Sequence, residues 1–348
     1  MKKSYNTKAV SKEESWWDTK AVNAPLIWNK GYTGKGTKVA VIDSGIGPHS
    51  DLNVAGGIST VDYTTSYKDD NGHGTHVAGI IAARHNGIGT VGVAPDAELY
   101  AVKAMDQDGN GTLESILKGI DWAIQNHMNI INMSFGTKDD SKLLHEAVDS
   151  AFKKGILVVA AAGNEGNAAG TGNTMDYPAL YDSVIAVSAV DQKYTRGSFS
   201  STGSKVEFAA PGVDIPSTYL NNQYAYLSGT SMATPHITGM LAVLKQHYPL
   251  KTNAELRQLL QSYTTDLGTA GRDSIYGYGF ARFSQELSAP PVSQKPLSKL
   301  DLAKKLTSIA ENTLSKTDIN AAQQAVNQLP RGYDKNAMQY KLNVLKYF

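Results

Sequence analysis

The sequence contains no cysteine, and this absence removes several kinds of chemistry at once. Among the 348 residues there is no thiolate that could form a disulfide, bind zinc or act as a nucleophile. The absence leaves the cellular compartment open, because exported bacterial proteins can also manage without disulfides.

Long hydrophobic runs are missing as well. No stretch approaches the run of about 20 apolar residues that a membrane-spanning helix needs, so we expect no membrane span. The first residues, MKKSYNTKAVSKEESWW, have the lysines of a signal peptide but no apolar region after them. The chain is therefore either cytosolic or part of an exported protein whose leader has been removed.

The charge is balanced, which argues against the partners that strongly basic proteins bind, nucleic acids and anionic membranes. Thirty-three Lys and Arg residues face 32 Asp and Glu residues, for a net charge of +1. We therefore expect no nucleic-acid partner and no strong attraction to an anionic membrane. The hydrophobic content of 41% is enough for one large core and a small appendage.

Short apolar runs alternate with amphipathic segments between residues 37 and 290. The runs are rich in Val, Ile and Ala, as strands buried on both faces are: KVAVID, AELYAVKAM, MNIINMS, GILVVAAAG and SVIAVSAV. The helical segments include HGTHVAGIIAARH, TLESILKGIDWAIQNH and SKLLHEAVDSAFKKG. This alternation predicts an α/β fold, in which a parallel β-sheet is flanked by helices on both faces.

The composition changes towards the C-terminus. The segment SAPPVSQKP combines prolines with small polar residues and predicts a linker over residues 288–296. Residues 297–348 then show helical patterns, which predict a helical hairpin followed by a third, shorter helix. We expect an N-terminal arm (1–15), a catalytic domain (16–287), the Pro-rich linker (288–296) and a small all-α extension (297–348).

The stretch GTSMATPHITG places Ser231 at the start of an apolar helix. Serine is common there because its hydroxyl can cap orphan backbone N–H groups, and by itself the position favours a cap. The alternative is a nucleophile at the positive end of the helix dipole. A nucleophilic serine needs a base, usually a histidine, and a group that orients it.

Two other segments could supply these partners. Asp43 ends the predicted strand KVAVID, and His73 opens a predicted helix in DDNGHGTHVAG. Taken singly, an aspartate at a strand end is most often a turn former, and a lone histidine is most often structural.

The segments DSG, NGHGTHVAG and GTSMATPH occur in this order, and together they resemble the subtilisin-like serine proteases. The resemblance runs from about residue 16 to about residue 283. It implies that Asp43 orients His73, that His73 takes the proton of Ser231, and that Ser231 forms an acyl-enzyme. It also implies that Asn164, in VVAAAGNEGN, stabilises the oxyanion together with the backbone N–H of Ser231. Alone, its Gly-Asn pair would indicate a turn.

The resemblance also implies how a polypeptide substrate binds. Members of the family hold an extended peptide between two strand-like segments, which match Gly109-Asn110-Gly111 and Ser134-Phe135-Gly136 here. Leu113 and Phe135 would line an upstream apolar pocket. The primary specificity pocket would be lined by Ala161, Ala162, Gly163 and Glu165; its small residues imply broad tolerance, and Glu165 implies some preference for basic residues.

A structural calcium site is a further expectation from the resemblance. Asp51 and Asn86 match side-chain ligands, while Arg84, Ile88 and Thr90 would contribute backbone carbonyls, and Glu13 stands about where a glutamine ligand is usual. The alternative for RHNGIGT is a plain Asn-Gly turn. The segment DQDGNGTLESIL imitates an EF-hand loop from Asp106, but position twelve is Leu117, so we do not expect calcium there.

His73 and His76 are spaced as a metal pair could be, but no third ligand is evident in the sequence. We therefore expect no zinc site and predict that His76 is a packed or hydrogen-bonded neighbour. The Gly-x-Gly of GYTGKGTKVAVID precedes its strand and is not a dinucleotide fingerprint.

The function expected from the resemblance is a broad-specificity serine endopeptidase, monomeric and secreted, whose precursor needs a propeptide. A maturation protease that cuts one partner and a catalytically silent scaffold are the alternatives. An α/β-hydrolase esterase is excluded, because GTSMA is not Gly-x-Ser-x-Gly. Residues 297–348 carry eight Lys and Arg against four Asp and Glu, which fits either a solvated appendage or a module that binds a cell-surface partner.

Overall fold

The chain divides into two compact units, Met1–Gln285 and Glu286–Phe348, which are described separately. The structure, a computed structural model, describes residues 13–14, 16–283, 287, 299–314 and 316–346. The predicted linker, 288–296, and most of the predicted N-terminal arm, 1–15, lie outside the described residues. The domain boundaries predicted above therefore stay predictions.

The first unit alternates strands with helices. Its strands are β1 (Lys38–Asp43), β2 (Val54–Ser59), β3 (Glu98–Lys103), β4 (Ile130–Met133), β5 (Leu157–Ala161), β6 (Val184–Val190), β7 (Val206–Pro211), β8 (Ile215–Tyr219), β9 (Gln223–Leu227), β10 (Thr264–Thr265) and β11 (Phe280–Ala281). Its helices are α1 (Trp17–Ala21), α2 (Ala24–Trp28), α3 (His73–Ala82), α4 (Leu113–Gln125), α5 (Lys142–Lys153), α6 (Thr230–His247) and α7 (Asn253–Gln261), with a 3-10 turn at Leu220–Asn222.

Nine of these strands form one sheet in the order β10-β11-β7-β6-β5-β4-β1-β3-β2. All its pairs are parallel except β10 with β11. Strands β8 and β9 form a separate antiparallel pair. The parallel sheet was predicted from apolar runs typical of strands that are buried on both faces. Strands β5 and β6 fit that expectation, since both are buried along their whole length.

Helices cover both faces of the sheet. On one face, alternate residues of β1, Ala40 and Ile42, pack in a core with Ile120 of α4 and Val148 of α5. On the other face, α6 packs along β4 to β7 and against α3. The predicted α/β class with helices on both faces is confirmed.

The order of the strands places a switch point beside β1. From β1 the sheet extends to β3 and β2 on one side and to β4 through β7 on the other. In open parallel sheets, ligands bind beyond the carboxyl ends of the strands at such a point. Here those ends are Asp43 of β1 and Met133 of β4.

The second unit is a bundle of the helices α8 (Lys299–Thr313), α9 (Lys316–Asn327) and α10 (Tyr333–Leu345). Its own small core includes Ala303, Ala322, Val326 and Leu342. The three predicted helices are present, but the third is not the shortest, since α10 has 13 residues and α9 has 12.

Candidate active site

Asp43 and His73 are hydrogen-bonded at the end of β1. The Nδ1 atom of His73 lies 2.8 Å and 3.0 Å from the two carboxylate oxygens of Asp43. The Asp43 side chain is fully buried, whereas that of His73 is 25% exposed. Ser44 holds the carboxylate in place, because its backbone N–H donates to Oδ1 at 2.7 Å. One ring nitrogen of His73 is thus bonded to a buried carboxylate, so Nε2 is the nitrogen that a proton transfer would use.

The start of α3 is built by residues just before His73. Gly72 has φ of 103°, a left-handed conformation, and a Cβ there would lie 2.3 Å from the ring of Tyr219. The buried carboxylate of Asp69 accepts from the backbone N–H groups of Gly72 and Thr75 at 3.0 Å and 2.9 Å. This role of Asp69 was not predicted from the sequence. The one local indication of it is that Asp69 is an acidic residue a few positions before a helix start.

Ser231 is the second residue of α6, and it does not cap that helix. The N-cap position is Gly229, and no side chain provides a cap bond there. The backbone of Ser231 is fixed instead by Ser134, whose Oγ donates to the Ser231 carbonyl oxygen at 2.9 Å. The hydroxyl of Ser231 therefore sits at the amino end of an 18-residue helix, where the dipole favours negative charge.

Asn164 lies beside the same helix start. Its Oδ1 accepts from the backbone N–H of Thr230 at 2.9 Å and from the Thr230 hydroxyl at 3.2 Å. Because the carbonyl end of the amide is held in this way, the NH₂ end is the part that can donate to a bound group. The predicted Asn164 and Ser231 are thus brought together.

A cleft of about 220 Å³ runs between His73 and the predicted substrate segments. It is lined by Asp43, Ser44, Asn71, His73, Met105, Asp108, Gly109, Ser134 and Phe135. The structure therefore brings members of both predicted segments, 109–111 and 134–136, to the same cleft as the histidine.

The segment 109–111 belongs to a tight turn. Gly111 pairs with Met105 in an antiparallel bridge. The Asp106 carboxylate accepts from the N–H groups of Asp108 and Asn110, both at 2.9 Å. Leu113, the first residue of α4, is 39% exposed. One oxygen of Asp106, the first candidate ligand of the EF-hand imitation, is thus bonded within the turn.

The predicted primary pocket lies where β5 ends. Ala161 is the last residue of β5 and is buried, and Gly163 follows with φ of 115°. The Glu165 side chain is 51% exposed and accepts from the backbone N–H of Asn164 at 2.8 Å. Asp176 was not predicted as a site residue, because it stands in no recognisable motif. Its buried carboxylate lies against Gly163.

The predicted calcium ligands surround Asp51. Its buried carboxylate accepts at Oδ2 from the N–H of Thr90 at 3.0 Å, while its backbone carbonyl accepts from the N–H of Arg84 at 2.9 Å. The Asn86 side chain lies beside Asp51: its Nδ2 donates to the carbonyl oxygen of Ser50 at 3.5 Å, and its Oδ1 accepts from the N–H of Ile88 at 3.1 Å. The other carboxylate oxygen, Oδ1, is buried without a hydrogen-bond partner among the described residues. Burial raises the pKa of Asp51 to about 6.

Glu13 joins this group from the N-terminal segment. Its carboxylate accepts from the backbone N–H of Gly87 at 2.8 Å and lies 3.0 Å from Nε2 of His85. Glu13 thus lies beside the predicted ligands, and both of its carboxylate oxygens have partners. Asp51 Oδ1 is the atom that a cation would satisfy.

His76 is a buried hydrogen-bonded residue, as predicted. Its Nε2 lies 3.0 Å from the carbonyl oxygens of both Ile215 and Ala225, on the β8–β9 pair. Within the described part of the chain, no three His, Cys, Asp or Glu side chains cluster as a metal site would. None of the described helices is both long and apolar enough to cross a membrane.

Comparison with known proteins finds close relatives. The model of the subtilase family, peptidase S8, matches residues 34–279. The minor extracellular protease Epr of Bacillus subtilis strain 168 is 51% identical over 334 residues, which cover 95% of this chain and 50% of Epr. Subtilisin BL of Lederbergia lenta is 48% identical over 263 residues, which cover 76% of this chain and 95% of that protein. The thermostable alkaline protease of Halalkalibacterium halodurans is 48% identical over 286 residues, 80% of this chain and 77% of that protein. The chain thus spans about half the length of Epr.

Proposed function

Because the chain belongs to the subtilase family, we propose that it is a serine endopeptidase that cleaves extended polypeptides through Asp43, His73 and Ser231. The observation that supports this most is the bond of 2.8 Å between His73 Nδ1 and the buried Asp43 carboxylate. It lies on the cleft that also contains Ser134, the residue that anchors the backbone of Ser231.

In the proposed reaction, His73 Nε2 takes the proton of Ser231 as its Oγ bonds to the substrate carbonyl carbon. Asp43 stabilises the imidazolium that forms. The Asn164 amide and the N–H of Ser231 donate to the oxyanion, assisted by the dipole of α6. The C–N bond then breaks, the amine leaves with the proton from His73, and water hydrolyses the acyl-enzyme by the same steps.

The substrate is proposed to bind as an extended strand between the segments 109–111 and 134–136. Main-chain hydrogen bonds of this kind give affinity without sequence selection, which is why we propose activity on many unfolded polypeptides. Leu113 and Phe135 supply apolar surface at one end of the cleft.

The direct test is hydrolysis of casein by the wild type and by Ser231→Ala, with the intact mass measured after treatment with a phosphonylating reagent. We expect the wild type to cut casein and to gain one label on Ser231, and the variant to do neither. Loss of the nucleophile typically costs about 10⁶ in kcat.

Ser141→Ala is the matched control. Ser141 caps α5 by accepting from the N–H of Leu144 at 3.3 Å, the role that Ser231 could have had. This variant should keep its activity and label. A folded but inert and unlabelled wild type would contradict the proposal and favour a silent scaffold or a partner-dependent protease.

We also propose a structural calcium ion at Asp51. The buried, unpartnered Oδ1 of Asp51 and the surrounding loop oxygens suit a cation that prefers mixed carboxylate and carbonyl ligands. Asn86 would give a side-chain oxygen, and Arg84, Ile88 and Thr90 would give carbonyls. The ion would stabilise the folded loop and take no part in the chemistry.

The proposed location is extracellular, supported by the relative that is named an extracellular protease. A propeptide in the precursor, a monomeric state and a cell-surface partner for the second unit remain proposals of the same kind. Size-exclusion chromatography of the Ser231→Ala protein would test the monomer, and fractionation of the producing cells would test the location.

A further inference from the structure

Asp176 is a buried carboxylate that the proposed reaction does not use. It is 5% exposed. A Cβ on Gly136 would lie 2.5 Å from Asp176 Cβ, and a Cβ on Gly163 would lie 2.6 Å from Asp176 Oδ2. The side chain of Asp176 therefore touches both glycines, and only glycine leaves room for it at either position.

These two glycines lie on segments that leave neighbouring strands. Gly136 follows β4 and Gly163 follows β5, and β4 pairs with β5 in the sheet. Both segments are tied to the start of α6. Ser134 bonds to the carbonyl of Ser231, and the N–H of Gly163 donates to the Thr230 hydroxyl at 3.3 Å. Asp176 thus lies between the two segments that lead away from the nucleophile.

An ammonium group already pairs with this carboxylate. Lys138 Nζ lies 2.6 Å from Asp176 Oδ1 and 3.5 Å from Glu165 Oε2, and it donates to the carbonyl of Thr174 at 2.7 Å. The Lys138 side chain is 54% exposed, so its charge reaches Asp176 from the solvent side.

The cluster has an excess of negative charge. Asp176 and Glu165 provide two carboxylates, and Lys138 provides one ammonium, which pairs with both. Burial, with a contribution from Glu165, raises the pKa of Asp176 to about 6, so the carboxylate is ionised above that pH. A buried carboxylate beside a binding cleft strongly favours a ligand cation that can hydrogen-bond to it.

We propose that Asp176 selects substrates with Arg or Lys immediately before the cleaved bond. The substrate cation takes the place beside Asp176 that Lys138 holds in the free protein, and Lys138 swings into solvent. This inference rests on the proposed endopeptidase function and narrows it. It moves the source of basic preference from Glu165, whose side chain is half exposed and bonded to the Asn164 backbone, to the buried Asp176.

The experiment compares two fluorogenic peptides that differ only in Arg or citrulline before the scissile amide. Citrulline keeps the shape of Arg and removes its charge. We expect kcat/KM to be at least about tenfold higher for Arg, and Asp176→Asn to lower that ratio by about tenfold or more, as for a hydrogen bond to a charged group. Asp139→Asn removes the same charge from an exposed neighbouring position and should leave the ratio unchanged.

Lys138→Met provides a second, exposed variant in case Asp176→Asn does not fold. It should raise the Arg-to-citrulline ratio by severalfold, because the competing ammonium is gone; an unchanged or lower ratio would overturn the inference. A wild-type ratio near one, or a ratio that Asp176→Asn leaves intact, would also overturn it. If neither peptide is cut and Ser231 takes no label, the proposed function itself fails.

Discussion

Ser134 donates a hydrogen bond of 2.9 Å to the carbonyl oxygen of Ser231. In a regular helix this carbonyl would accept from the N–H four residues later, but that residue is Pro235, which has no N–H. The proline therefore leaves an acceptor without its helical partner, and Ser134 supplies the bond instead. Asn132 continues the chain of bonds: its Nδ2 donates to Ser134 Oγ, and its Oδ1 accepts from Thr238 of α6.

Ser134→Ala should therefore cost both stability and rate. The Ser231 carbonyl would lose its partner in a partly buried position, and an acceptor left unpaired by such a change costs about 1–3 kcal/mol when it is shielded from water. We expect the free energy of unfolding to fall by that amount and the rate of Ser231 phosphonylation to fall with it. Ser141→Ala, which removes only a helix cap, should leave the labelling rate unchanged. Equal labelling rates in Ser134→Ala and wild type would show that this bond does not position the nucleophile.

The sequence predicted the strands that are continuous apolar runs and missed those that are not. Strands β1, β3, β4, β5 and β6 coincide with the five predicted runs. Strand β2 is VAGGIS, whose paired glycines obscure the pattern, and β8 is IPSTY, which contains a proline. Strand β7 contains Glu207, which is buried and whose charge is compensated by Arg257, whose Nε donates to it at 2.8 Å. That pairing joins residues 50 apart and has no local signal.

The candidate site shows the same division. Asp43, His73, Asn164 and Ser231 stand in short motifs that mark strand ends and helix starts, so the sequence could indicate them. Asp69 and Asp176 act through atoms that only the fold brings near. An aspartate 12 residues beyond Asn164 gives no indication that it will lie against Gly163. Contacts of buried polar groups with residues that are distant in sequence cannot be predicted from local motifs.

Lys103 joins the segment that follows Asp43 to the segment that precedes His73, through Ser44 and Asp70. Breaking this connection should destabilise the fold. The fully buried ammonium of Lys103 lies 2.5 Å from Asp70 Oδ1 and donates to the carbonyl of Ser44 at 2.8 Å. Burial lowers the pKa of Lys103, but Asp70 and Tyr63 together outweigh it, so the net shift is upward. Asp70→Asn should reduce the free energy of unfolding by about 1–3 kcal/mol, because it leaves the buried charge less compensated.

Glu114→Gln is the comparison for that variant. It breaks a lysine pair of 2.7 Å with Lys118, but both side chains are more than half exposed. The variant should unfold at the same urea concentration as its parent, because solvent screens an exposed ion pair and leaves it little effect on stability. Urea unfolding in a Ser231→Ala background measures both without autolysis. If the two variants lose the same stability, Asp70 contributes no more than a surface ion pair.

Removal of calcium should lower the melting temperature through Asp51. At a free concentration of about 100 times its Kd, a ligand that binds only the folded state adds about 2.7 kcal/mol. We expect EDTA to lower Tm in the Ser231→Ala protein by several degrees and calcium to restore it. Asp51→Asn should abolish that response, while Asp106→Asn, which changes the EF-hand imitation, should keep it. The opposite pattern would move the ion to residues 106–117.

His76 should make the fold sensitive to acid. Burial is the main cause that lowers the pKa of His76 to about 3, against 6.5 for the unfolded chain. The group is neutral when folded, so its stability contribution is fully present above pH 6.5 and is lost as the pH falls from 6.5 towards 3. Between pH 7 and pH 5 this amounts to about 2 kcal/mol, at about 1.4 kcal/mol for each pKa unit.

The measurement is the free energy of unfolding in urea at pH 7 and at pH 5, for the Ser231→Ala protein with and without His76→Gln. The glutamine can still donate to a carbonyl of Ile215 or Ala225 but takes up no proton in this range. The loss of stability between the two pH values should therefore shrink by about 2 kcal/mol, whatever the variant costs at pH 7. His145→Gln, at a side chain that is 47% exposed, controls for the loss of an imidazole. An acid-induced loss that is the same with and without His76 would mean that the buried imidazole is not what makes the fold sensitive to acid.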